Sequence, residues 1–136
     1  MSGIQHVTVT VPEEALIEPA EAFYRMLGGI PLRRPPRLAA DTPGCWLGFG
    51  PTQVHVIVGD PPATQAHFAL DVGDRYDDVL AAVEAAGALH RRARDLWGGR
   101  RSFARDPAGN LVELFDRPPP SDPLDSSAGL TQGAGR

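Results

Sequence analysis

The sequence predicts an α+β fold built from two βαβββ modules. Three observations point there. Apolar residues alternate with period two at Val7, Val9, Val11 and again at Phe68, Leu70, Val72, the pattern of half-buried strands. Each of these strands is followed by a stretch of helical spacing that ends at a glycine, Gly28 or Gly87, as helices commonly do. The order then repeats: residues 5–9 match 66–70 and residues 29–34 match 87–92, at offsets of 61 and 58 residues. Halves of about sixty residues are too small to bury much core alone. They are expected to share one sheet or to pair across a dimer.

Residues 4–11 read as the first strand, ended by Pro12. Residues 13–27 read as a helix whose firm part begins near Pro19, because proline is tolerated in a first turn. Residues 30–38 form an edge strand or a loop, given Pro31, Pro35 and Pro36. Strands at 45–50 and 53–58 flank a tight turn at Gly50-Pro51. Residues 60–64 form a linker. The second module follows with a strand at 66–72, a helix at 75–86 and strands at 88–93, 100–105 and 110–116. Its last turn is Asp106-Pro107-Ala108-Gly109-Asn110. The folded domain is expected to span residues 1–116, as modules of about 3–59 and 66–116. Residues 117–136, rich in Pro, Ser, Asp and Gly, read as a disordered tail.

Composition narrows the function. The chain of 136 residues carries 13 basic and 17 acidic residues, a net charge of −4. That balance argues against general nucleic-acid binding. One cysteine, Cys45, excludes a disulfide framework and a cysteine-rich zinc site; with no activating neighbour it reads as a small buried hydrophobe. No apolar run reaches the ~18–20 residues of a membrane span. No secretory signal is visible, so a cytoplasmic protein is expected.

Strand parity locates the chemistry. The apolar faces of the strands should pack on the helices. The opposite faces carry His6, His55, His67 and Glu113. The repeat relates His6 to His67 and His55 to Glu113. Neutral imidazoles with a carboxylate suit Zn, Fe, Ni, Mn or Cu, and two His with one carboxylate leave positions open for substrate. Ordinary solvated histidines are the competing reading. Arg101, Phe103 and Arg105 share one parity: they line the cleft, where arginine suits a carboxylate or phosphonate, or they are exposed edge-strand residues. Trp46 is a wall of the cleft or a core residue. Trp97-Gly98-Gly99 reads as a loop over the cleft, and His90 as a solvated residue.

Several segments carry a resemblance. They are Gly3-Ile4-Gln5-His6-Val7, Ala22-Phe23-Tyr24-Arg25-Met26-Leu27-Gly28, Val54-His55-Val56-Ile57, Ala66-His67-Phe68-Ala69 and Asp106-Pro107-Ala108-Gly109-Asn110-Leu111-Val112-Glu113-Leu114. In this order they resemble the vicinal oxygen chelate superfamily, which includes glyoxalase I, fosfomycin-resistance thiol transferases, extradiol dioxygenases, methylmalonyl-CoA epimerase and bleomycin-resistance proteins. The resemblance spans roughly residues 3–116. It implies two modules whose sheets curl around a cleft, one divalent ion (Fe, Zn, Ni or Mn) held by His6, His67 and Glu113, and a homodimer that takes a small-molecule substrate. His55 stands where glyoxalase I has a glutamate ligand that also moves the substrate proton. Here it is a ligand, a general base or a hydrogen-bonding wall. The implied activity is metal-dependent isomerase, lyase or dioxygenase chemistry. The alternative is a protein that sequesters an antibiotic or natural product, stacked on Trp46, Trp97 and Phe103.

Overall fold

A computed structural model describes residues 4–60, 65–120 and 123. Most of the expected linker, and all of the expected tail beyond 120 except residue 123, lie outside them. The first module runs β1 (His6–Val11), α1 (Ile17–Met26), β2 (Ile30–Leu32), α2 (Pro36–Asp41), β3 (Gly44–Phe49) and β4 (Thr52–Val58). The second runs β5 (His67–Asp71), α3 (Tyr76–Ala85), β6 (Leu89–Ala93), β7 (Arg101–Arg105) and β8 (Leu111–Phe115). Two four-stranded mixed sheets result, ordered β1-β4-β3-β2 and β5-β8-β7-β6. Each module's first and last strands pair in parallel, and its remaining neighbours are antiparallel. The expected βαβββ repeat is therefore present twice, as two sheets.

Local chemistry explains most boundaries. A single 3₁₀ turn (Glu14–Leu16) precedes α1, and Pro19 sits in the first turn of the helix. Gly28, at φ +108, ends it in a conformation that L side chains avoid. Pro31 is tolerated because β2 is an edge strand. The region after it departs from expectation: Pro36 begins the short helix α2. A proline at the first helical position gives up an N–H that no helix would use.

The helix-facing sides of both sheets meet in one apolar core. It includes Val9, Val11, Tyr24, Leu27, Leu47, Val56, Val83, Val112 and Leu114. Cys45 belongs to this core. Burial, reinforced by Glu21, pushes its thiol up to about 11. At pH 8 only about one Cys45 in a thousand is then thiolate, the reactive form. Alkylation of the native protein by iodoacetamide at pH 8 should be at least about a hundredfold slower than that of an ordinary free thiol. Mass spectrometry of timed aliquots checks this, and rapid labelling would contradict the assigned burial.

Asp106 and Asn110 tie the modules together. Asp106 accepts hydrogen bonds from Tyr24 on α1 and from the Asn110 side chain, both at 2.8 Å. The Asn110 amide also donates to the Thr10 carbonyl of β1 at 2.8 Å.

Candidate functional site

Alternation in the strands places His6, His55 and Trp46 on the face of the first sheet that turns away from the core. Trp46 and His55 are cross-strand partners on β3 and β4. Their rings lie 4.0 Å apart and 2° from parallel. His6 covers the other face of His55, again at 4.0 Å and 13° from parallel. His55 is thus the middle ring of a three-ring stack and is 8% exposed. Burial first, then His6 and Arg34, hold its pKa below the ordinary histidine value. Its Nε2 lies 2.8 Å from the Gln53 side-chain oxygen. That acceptor calls for the Nε2–H tautomer and leaves the lone pair on Nδ1.

The second sheet presents His67, Phe103, Glu113 and Arg101 on its corresponding face. The His67 ring meets Phe103 edge-on at 5.1 Å. Phe103 and Glu113 are cross-strand partners. The Glu113 carboxylate is 7% exposed. It accepts two hydrogen bonds from Arg101 on one oxygen, at 2.8 Å from Nη2 and 3.2 Å from Nε. Arg101 also donates to the Arg94 carbonyl at 3.0 Å. Arg105 donates to the Gly109 carbonyl at 2.8 Å. Trp97 sits in a bend, its indole N–H donating to the Arg117 carbonyl at 2.6 Å and its ring centre 5.1 Å from the Arg101 guanidinium. Trp46 is half-buried in the stack rather than in the core.

The donor set suits a divalent transition metal. Nδ1 of His67 lies 2.9 Å from the Gln65 carbonyl. A carbonyl only accepts, so Nδ1 carries the proton and Nε2 keeps its lone pair, the form a ligand needs. Nδ1 of His6 lies 2.6 Å from the Gln5 side-chain oxygen, with the same consequence. Within one chain, however, His6 stays on the first sheet with His55, while His67 and Glu113 share the second. Among the described residues, no three His, Cys, Asp or Glu side chains of one chain are grouped to hold a metal.

Sequence reading missed Arg34. It donates to the Gly44 carbonyl at 3.0 Å and the Thr42 carbonyl at 2.6 Å, and among the described residues its buried Nε has no partner. A side chain at Gly44 would meet the Val56 carbonyl oxygen of β4 at 2.5 Å, while the Arg34 guanidinium lies at ordinary contact distance, 3.5 Å.

Residues 8–115 match the model of the glyoxalase-like domain family. The chain belongs to that family. Glyoxalase-fold structures agree with it. A glyoxalase family protein from Bacillus anthracis is 28% identical, with a TM-score of 0.73 over 85% of this chain and 94% of that one. The fosfomycin resistance protein FosX from Listeria monocytogenes is 18% identical, with a TM-score of 0.69 over 87% and 93%. A lactoylglutathione lyase from Agrobacterium tumefaciens is 21% identical, with a TM-score of 0.64 over 85% and 93%. Another FosX structure contains Mn(II) and a dihydroxypropylphosphonic acid. These neighbours share the chain's glyoxalase fold. No curated protein sequence matches it. No described helix is long and apolar enough to cross a membrane.

Proposed function

We propose that this glyoxalase-like protein is a divalent-metal enzyme acting on a small substrate that offers one or two oxygens to the ion. His6, His67 and Glu113 would hold the metal. The observation that carries the reading is the matched state of the two imidazoles. Each has Nδ1 engaged by a protein oxygen and Nε2 left as a donor atom. A bound cation would supply Lewis acidity, polarising a substrate oxygen. The chain's own residues do the rest. Trp46 and His6 clamp the His55 ring from both faces. His55, kept neutral by its surroundings, accepts a proton at Nδ1 while Gln53 holds Nε2. The reaction class is isomerase, lyase or dioxygenase.

The separation of His6 from His67 and Glu113 within one chain favours a homodimer. In it, His6 of one copy would complete the site with His67 and Glu113 of a second. We place this protein in the cytoplasm.

Elemental analysis of untagged protein, paired with sedimentation, tests the proposal. Near one metal ion per chain is expected in a wild-type dimer, with less than about a tenth of that in His67→Ala and Glu113→Ala, because losing one of three ligands removes most of the affinity. No metal in the wild type after reconstitution with Mn(II), Fe(II), Ni(II) or Zn(II) would overturn it. One observation favours a second reading. Arg101 already neutralises Glu113, as a metal-free sequestering protein would require. Such a protein would bind aromatic ligands with unchanged affinity in chelator.

A further inference from the structure

The second sheet carries a feature that the metal reading does not use. Leu89 pairs with Ala104, but Arg91, not His90, pairs with the next residue, Phe103. One residue of β6 is therefore extra, and His90 is a β-bulge. Bulges re-aim side chains, and they concentrate beside active sites. Regular pairing would set His90 opposite Phe103 and turn Arg91 to the helix side. The bulge puts Arg91 opposite Phe103 on the cleft side and passes the helix-facing position to Arg92, which pairs with Glu84 of α3.

The consequence is a cavity of about 190 Å³ beside the proposed ligand His67. Arg91, Arg105, His90 and Gln65 line it with His67, and Phe103 forms its apolar wall. The Arg91 guanidinium lies 4.4 Å from the Phe103 ring centre, a cation–π contact that leaves its N–H groups for another acceptor. Arg105 enters from the adjacent strand, braced by the Gly109 carbonyl. Among the described residues, no acidic side chain lines this cavity. Two arginines, one of them braced, with a histidine and an amide match the donors that an oxyanion accepts.

We infer that this cavity is an oxyanion subsite, which binds a phosphonate, phosphate or carboxylate group of the substrate next to His67. The inference rests on the reading of this face as the substrate cleft, and it extends that reading by naming a substrate class. The volume holds one such head group. The rest of a small substrate would then lie toward His67.

Calorimetric titration of chelator-treated protein with methylphosphonate and with propionate tests it. Both are expected to bind at one saturable site, more weakly at high salt. The tighter of the two names the head group. Affinity should fall about tenfold or more in Arg91→Gln and in Arg105→Gln, because each removes a charged donor pair. Arg91→Lys, which keeps the charge without the planar fork, should fall between. Arg92→Gln, on the helix side, should bind as wild type does. Arg91 is exposed, so Arg91→Gln tests the subsite without endangering the fold. Equal affinities in Arg91→Gln and Arg92→Gln, or no saturation by either probe, would overturn the subsite. Mn(II) binding followed by electron paramagnetic resonance separates this outcome from failure of the metal reading. Loss of Mn(II) binding with intact anion binding sinks the metal enzyme alone. Intact Mn(II) binding without anion binding sinks the subsite alone.

Discussion

Replacing Asp106 with alanine is expected to lower the folding free energy by about 3–5 kcal/mol, the range for removing one member of a buried charged network. Four donors converge on this carboxylate, which is 4% exposed. Tyr24 and the Asn110 side chain reach one oxygen. The backbone N–H groups of Ala108 and Asn110 reach the other, at 2.9 and 2.8 Å. Alanine would leave the Tyr24 hydroxyl, on a fully buried residue, without its acceptor. Burial first, and then Asp106 itself, keep that phenol protonated far above its ordinary range. The hydroxyl therefore remains a donor at every accessible pH. A drop of about 10–25 °C in the thermal midpoint is the corresponding readout for a domain of this size. Tyr24→Phe in the same cycle should couple to Asp106→Ala by about 1–2 kcal/mol. Additive losses would mean that the bond between α1 and the turn is incidental.

This network shows what the sequence made legible. The run from Asp106 to Asn110 reads directly as a turn, and Gly109, at φ +91, takes the position only glycine enters freely. That Asp106 reaches across to Tyr24 is a long-range contact, which local pattern does not encode. Strand faces were readable because each sheet buries one side. Val9 and Val11 had to point inward, so His6 had to point away. The same parity put His67, Phe103 and Glu113 on one face, and the pairings of β5 with β8 and of β7 with β8 agree with it.

Three features were not readable, each for a physical reason. Pro35-Pro36 reads as part of an edge strand or loop, but the second proline begins α2, because its missing N–H costs nothing at a helix start. The bulge at His90 has no glycine or proline to mark it, and the run of arginines in β6 hides the alternation that would reveal a slip. The distribution of the proposed ligands between the sheets depends on how the modules pack. Period-two patterning fixes which face a side chain occupies, and is silent about which sheet that face meets.

The Arg101–Glu113 pair is where the two readings of the cleft give opposite results. Their side chains are 12% and 9% exposed. In metal-free protein, Arg101→Met is expected to cost about 3 kcal/mol, because it leaves the Glu113 carboxylate buried without its guanidinium. Arg101→Met with Glu113→Leu should recover most of that loss, since an apolar pair of similar volume replaces a buried ion pair at little net cost. If Glu113 is a metal ligand, the cation and Arg101 compete for one carboxylate. Arg101→Met should then bind Mn(II) about tenfold more tightly than wild type and regain stability in proportion to the logarithm of the metal concentration. Glu113→Gln should show neither effect. Thermal scans of the three variants across a Mn(II) series measure all of this together. Rescue of Arg101→Met by Mn(II) would mark the guanidinium as a placeholder for the metal. A loss that Mn(II) leaves untouched, with wild type equally indifferent to the ion, would make the pair a structural clamp and turn the assignment toward a metal-free binding cleft.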